Sequence, residues 1–190
     1  MNIQAITVAT GDTYRGLALS LGLSMRHHGW PDLTIASDSE IKGWDGRQIV
    51  SPEISKHSLP KTAFSEFLLD EPGMVMLLDA DCEAVGTFMG LDPIPEESIA
   101  GRVTGVCDAP GGIRLIFHVA TLLLFGSVRL SKTIGSTWCR FAIGKHEDET
   151  PLLKATINCH KIDLGGSYDF PLPNLRHKGV VSGERHHNPA

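Results

Sequence analysis

Apolar and polar residues alternate along the first forty positions in a pattern that names its own elements. Ile3 to Ala9 is a β-leaning apolar run that ends at Gly11-Asp12. Leu17, Ala18, Leu21 and Met25 then recur at helical spacing, although Leu17, Leu19, Leu21 and Leu23 also alternate as they would in a strand. Helix is the better reading, because Asp12 or Thr13 can cap its start and His28-Gly29-Trp30-Pro31 is a stop signal. Leu33 to Ala36 predicts a second short strand, closed by Ser37-Asp38. A strand, a helix and a strand in succession imply a parallel pair joined by a right-handed crossover.

Beyond Asp38 the pattern weakens and then returns. Glu40 to Pro60 is rich in Gly, Pro and polar residues and predicts no element. Lys61 to Leu69 places Ala63, Phe64, Phe67 and Leu68 on one helical face, stopped by Glu71-Pro72-Gly73. Met74 to Leu78 is five apolar residues in a row, as in a strand buried on both faces, and it breaks at Asp79-Ala80-Asp81. After a Pro/Gly-rich stretch from Asp92 to Gly112, Leu115 to Phe125 predicts one or two buried strands. Helices are expected over Gly126 to Phe141, weakened by Gly135, and over His146 to Asn158, where Pro151 is tolerated near the first turn. From Asp169 the chain reads as a closing loop around a short Val180-Val181 run. No repeat, low-complexity tract or linker divides it, so residues 1–190 are expected to form a single α/β domain with 170–190 as its loop-rich tail.

Composition narrows the function classes. With 190 residues, 42% hydrophobic and 21% charged, the chain can bury a real core and is not a disordered segment. Seventeen Lys and Arg against 22 Asp and Glu give a net charge of −5, so no global basic field draws it to nucleic acid. Cys82, Cys107, Cys139 and Cys159 lack zinc-site spacing and are expected to be buried thiols in a reducing compartment. The longest central stretch free of Asp, Glu, Lys and Arg, Leu115 to Val128, is 14 residues, too short for a membrane span. The N-terminus has no Lys or Arg ahead of its apolar residues, unlike a signal peptide. The expectation is a cytoplasmic protein with no transmembrane segment, its oligomeric state open.

The chemistry concentrates in Leu77-Leu78-Asp79-Ala80-Asp81. Two carboxylates one residue apart, at the carboxyl end of a buried strand, sit where open α/β sheets bind ligands. Together they can hold a hard divalent cation, Mn²⁺ or Mg²⁺, against a diphosphate. Asp79 can equally close a strand-end turn by accepting backbone N–H bonds. The same spacing occurs in haloacid dehalogenase-type phosphatases, but there the motif ends the first strand and is followed by Thr or Val where Glu83 stands here.

The chain resembles a known family at several points. Val8-Ala9-Thr10-Gly11-Asp12-Thr13-Tyr14, then Gly16-Leu17-Ala18-Leu19 and Ser24-Met25-Arg26, is similar to the opening of glycogenin-like, family 8-type glycosyltransferases. Asp79-Ala80-Asp81 resembles that family's metal-binding D-x-D, and Lys61 falls near its donor-contacting Lys. Phe117 to Phe125, Trp138, and Asp148-Glu149 with Leu152-Leu153 resemble later elements in the same order. The resemblance implies a GT-A-type fold with a mixed, mainly parallel sheet. It also implies a metal-dependent enzyme that moves a sugar from a nucleoside-diphosphate sugar to an acceptor hydroxyl, with neither sugar nor acceptor specified.

Under that resemblance Thr10, Asp12, Tyr14, Lys61, Asp79 and His118 meet the donor, Asp148 or Glu149 supplies a catalytic carboxylate, and Asp79, Asp81 and a third ligand hold the metal. Each has a plainer reading: Asp12 also suits a helix N-cap, Asp38 a ribose contact or a turn, and Asp148-Glu149 the favoured acidic start of a helix. His27-His28 suits a helix end and Trp138 the core. Three departures stand out: His118-Val119-Ala120 replaces the family's Asn-Ser-Gly, Glu149 replaces its Gln, and Ser182 falls at its metal-ligand His. The tail offers His177, His186 and His187 instead. If Val180-Val181 is a parallel strand, His177 lies at the far end of the sheet and His186 is the expected third ligand, with His187 next and water as the alternative. A non-catalytic nucleotide-sugar-binding domain is the alternative function.

Overall fold

The computed structural model describes residues 2–109, 112–117, 121–145, 149–164 and 175–177. In chain order the elements are β1 (Ile3–Ala9), α1 (Gly11–His27), β2 (Leu33–Ser37), β3 (Gln48–Val50), two 3₁₀ segments (Pro52–Lys56 and Pro60–Phe67), β4 (Met74–Leu78) and β5 (Cys82–Ala84). There follow β6 (Ser98–Gly101), β7 (Val103–Ala109), β8 (Gly112–Phe117), β9 (Leu122–Phe125), α2 (Val128–Ala142), α3 (Glu149–Ala155), β10 (His160–Asp163) and β11 (Leu175–His177). Seven strands make one sheet in the order β10-β6-β9-β4-β1-β2-β3. β1, β2, β3 and β4 are mutually parallel, β10 is parallel to β6, and β9 alone runs antiparallel to both its neighbours. Two antiparallel ribbons, β5 with β11 and β7 with β8, stand beside the sheet.

The apolar run of β4 is explained by its position. All five residues are buried. Met76 and Leu78 pack with Leu21 and Met25 of α1 on one face, while Val75 and Leu77 pack with Phe64, Phe125 and Trp138 on the other. A strand covered on both sides has no polar face to alternate with. Phe64 stacks on Phe125 at 5.3 Å between ring centroids and meets Trp138 edge-on at 6.5 Å, and Trp138 is core, as expected.

α1 ends where its sequence says it should. Gly29 adopts φ +68°, its N–H donates to the Arg26 carbonyl, and the Trp30 N–H reaches back to Met25, so two terminal carbonyls are satisfied. At its start Thr10, not Asp12 or Thr13, occupies the N-cap position, with extended backbone angles. α2 begins on Ser127, whose hydroxyl accepts from the Leu130 N–H at 3.2 Å. Gly135 in α2 is a packing requirement: a Cβ there would lie 2.2 Å from Ser65 Oγ, so its absence lets α2 press onto the segment Pro60–Phe67.

Four expectations are corrected. Lys61 to Leu69 is not an α-helix: a 3₁₀ segment covers Pro60–Phe67, with Ala63 and Phe64 buried on its inner side. The uninformative stretch after Glu40 contributes β3, and the Pro/Gly-rich stretch holds all of β6 and β7. Of the four cysteines only Cys82 is fully buried; the other three are half-buried, and all four are free thiols. In the tail, β11 lies at Leu175–His177, while Val180-Val181, Ser182 and the histidines after them fall outside the described residues. The helices expected over Gly126–Phe141 and His146–Asn158 are present as α2 and α3, and Leu115–Phe125 resolves into the end of β8 and β9.

Candidate functional site

The site is assembled at the carboxyl edge of the parallel strands. β1 pairs with β2 through Ala9 opposite Ser37, and with β4 through Ile6 opposite Leu77, so Thr10, Asp38 and Asp79 emerge along one edge. The chain passes from β1 to β2 on one side and returns to β4 on the other, so the ends of β1 and β4 are a topological switch point, the place where such sheets bind ligands.

Lys61 and Asp79 meet at that edge. Lys61 Nζ donates to Asp79 Oδ2 at 2.7 Å, with side chains 17% and 18% exposed. The other carboxylate oxygen of Asp79 accepts from the Ala80 N–H at 3.0 Å, and the Asp79 N–H donates to the Thr121 carbonyl at 3.0 Å. The strand-end turn read as an alternative for Asp79 is thus present together with the Lys61 pair, and the Cys82 N–H closes it on the Asp79 carbonyl at 3.1 Å. Asp81 is buried at 8% exposure. The Cys82 thiol beside them is pushed far up, first by burial and then by the charges of Asp79 and Asp81, with Lys61 opposing.

A second cluster lies at the start of α1. Asp38 Oδ2 accepts from the Gly11 N–H at 3.1 Å, and Arg15 bridges Asp38 and Asp12. Burial alone would raise the Asp38 carboxyl, but the Gly11 N–H and the Arg15 guanidinium outweigh it and hold the group below its ordinary value. Asp38 therefore tethers the helix start to the end of β2 and does more than begin a turn. Asp12 is fully solvent-exposed and caps nothing; its carboxylate lies on Arg15, which sequence reasoning missed although the i,i+3 spacing was visible. Tyr14, on the same first turn, is 41% exposed.

Glu149 opens α3, which packs on α2 and β8, and its side chain is half-buried. His118, Asp148, His186 and His187 lie outside the described residues. His177 does not lie at the far end of the sheet. β11 pairs antiparallel with β5, Arg176 opposite Glu83 and His177 opposite Cys82, one position from Asp81. The expectation rested on a strand at Val180-Val181, which lies outside the described residues, whereas Leu175–His177 is itself a strand and pairs antiparallel with β5. His27 and His28 close α1 with their rings edge-on at 4.7 Å, beside Arg26 in the last turn.

Among the described residues, no three His, Cys, Asp or Glu side chains converge to hold a metal ion. A groove of about 750 Å³ lies at the other end of the sheet, lined by Met74, Ser127 and Lys132, and is separate from the carboxylates. No helix among the described residues is long and apolar enough to cross a membrane. No protein-family model matches the chain, and no curated protein matches it.

Proposed function

We propose that the protein is a metal-dependent glycosyltransferase that binds a nucleoside-diphosphate sugar at the carboxyl edge of β1, β2 and β4. The observation that carries this reading is the placement of Asp79 and Asp81 at the end of the central buried strand, with Lys61 paired to Asp79 at 2.7 Å. The mixed sheet, mainly parallel with β9 reversed, fits the GT-A-type architecture the motifs resemble.

The donor set suits a divalent cation in kind, because the carboxylate oxygens of Asp79 and Asp81 are hard ligands. Asp79 and Asp81 would hold Mn²⁺ or Mg²⁺, with a third ligand drawn from the tail. His177 is the candidate for this among the described residues, since β11 brings its backbone level with Cys82. The metal, when bound, supplies charge neutralisation for the departing diphosphate. Lys61 adds a positive charge that can turn from Asp79 to a phosphate oxygen as negative charge develops there. Arg15 and Asp38 hold the start of α1 at the end of β2 and so set the wall against which a base and ribose would rest. Asp148 or Glu149 remains the proposed catalytic carboxylate, as the motif resemblance implies.

The test is binding before turnover. A ligand that binds only the native state raises its melting temperature. Nucleoside diphosphates should do so with Mn²⁺ and not without it, and Asp79→Asn with Asp81→Asn should abolish the shift. Slow release of nucleoside diphosphate from the correct nucleotide sugar would mark an enzyme; tight binding with no release across a broad donor and acceptor panel would mark the binding-domain alternative. Equal binding by the double variant without metal would sink both.

A further inference from the structure

On the α2 side of the sheet, three reactive side chains distant in sequence come together. His57, between the two 3₁₀ segments, places Nδ1 3.3 Å from Cys139 Sγ on α2. Its Nε2 faces Glu66 Oε1 of the segment Pro60–Phe67 at 3.9 Å. One edge of the imidazole therefore meets a thiol, and the other faces a carboxylate within ion-pair range. A nucleophile within reach of a base that a third group orients is the arrangement that activates thiols. The trio opens to water: Cys139 is half-buried, His57 is 20% exposed and Glu66 57% exposed.

We propose that Cys139 is a thiol-exchange site, where His57 accepts the thiol proton, Glu66 orients the imidazole, and a small-molecule disulfide leaves the protein as a mixed disulfide. The step balances without further reactants. His57 takes the proton from Cys139 Sγ, and the thiolate attacks one sulfur of R–S–S–R. The bond from Cys139 to that sulfur forms as the original S–S bond breaks. The departing RS⁻ takes the proton held by His57, so the small disulfide is the oxidant and the Cys139 thiol is what it oxidises.

Among the described residues the other cysteines show no such arrangement. Cys82 is fully buried, its S–H directed at the Thr121 carbonyl at 3.6 Å, and burial pushes its thiol up. The Cys159 thiol is also raised, chiefly by burial. Cys107 is half-buried on β7, in register with Arg114 of β8, and serves as the internal comparison.

The experiment treats the full chain with oxidised glutathione and, for rates, with dithiobis(nitrobenzoate), and maps the modified cysteine by peptide mass spectrometry. The first equivalent is expected on Cys139, and Cys139→Ser should remove the fast phase. His57→Gln offers a hydrogen bond but no base, and should slow that phase about 10-fold or more. A first equivalent on Cys107, or an unchanged rate in His57→Gln, overturns the proposal. If His57→Gln does not fold, Glu66→Gln at its exposed position decides instead: a rate lowered a few-fold supports the assignment and an unchanged rate overturns it. Neither readout depends on nucleotide binding, so failure here leaves the strand-end site untouched.

Discussion

Lys61 Nζ and Asp79 Oδ2 lie 2.7 Å apart, each side chain less than a fifth exposed, so a 3₁₀ segment and a strand end are joined by one charge pair. Removing the ammonium leaves a poorly hydrated carboxylate, which costs stability, and also leaves that carboxylate available to another cation. Lys61→Met should lower unfolding stability by about 1 to 2 kcal/mol in denaturant titrations. With Mn²⁺ alone its melting temperature should rise more than that of the unaltered protein, because no ammonium competes for Asp79. Nucleoside diphosphate affinity in the presence of Mn²⁺ should fall. A smaller Mn²⁺ shift than in the unaltered protein would mean that Lys61 shapes the cation site instead of competing for it.

Asp38 makes stability depend on pH in a direction fixed by its surroundings. Its carboxyl is held below the ordinary 3.8 by the Gly11 N–H and Arg15, which outweigh burial. The folded state therefore prefers the ionised form, and the stabilisation is complete above the unfolded value and lost as pH falls through the folded one. Asp38→Asn keeps an acceptor for the Gly11 N–H but loses the charge pair with Arg15. It should cost about 1 kcal/mol near pH 7 and progressively less below about pH 4. Parallel urea titrations at pH 7 and pH 3 measure this, and a deficit that grows on acidification would contradict it.

Two glycines in helices should respond oppositely to alanine. Gly16 is exposed within α1, and a Cβ there meets nothing within 4 Å. Gly16→Ala should stabilise the protein by about 0.5 to 1 kcal/mol through helix propensity and a more restricted unfolded chain. In α2, a Cβ on Gly135 would come within 2.4 Å of Ser65 Cβ and 3.2 Å of Phe64 Cε1. Gly135→Ala should destabilise by about 1 to 3 kcal/mol, as overpacking does. Thermal unfolding of the two variants tests whether α2 approaches Pro60–Phe67 as closely as this packing requires.

The half of the fold built on local signals is legible in the sequence. β1, α1, β2 and β4 each combine an apolar period with a stop signal, and each has the expected type within a residue or two at its ends. What the pattern missed depends on partners distant in sequence. β3 is three residues at a sheet edge, and Ser98–Gly101 is a strand because it pairs with β9 and β10, not because SIAG alternates. Lys61 to Phe67 keeps the apolar spacing of a helix, yet Pro60 at its start and close packing under Gly135 accompany a tighter coil. The carboxylates Asp79 and Asp81 were visible from the break in an apolar run. The Arg15–Asp38 and Lys61–Asp79 pairs span 23 and 18 residues, and only the sheet order brings them together. His177 was misjudged for the same reason, because strand direction is a property of pairing and not of the strand's own residues.

The third metal ligand is the sharpest test of that correction. A divalent cation on two carboxylates needs further donors, and imidazole is a common one. β11 runs antiparallel to β5 with His177 opposite Cys82, so its backbone is one register position from Asp81 at the carboxyl edge of the sheet. The Arg176–Glu83 ion pair in the neighbouring register position fixes that pairing. If His177 completes the site, His177→Ala should weaken Mn²⁺ binding in the presence of nucleoside diphosphate by about 10-fold or more, the loss of one ligand's share of the affinity. The melting temperature without metal should change little, whereas Arg176→Ala, which breaks the ribbon's ion pair, should affect both. A chain truncated after Val181 keeps β11 and should bind Mn²⁺ as the full chain does. Calorimetric titration of the three variants separates the alternatives: full affinity in His177→Ala with loss on truncation would return the ligand to His186 or His187. Full affinity in both would leave the position to water.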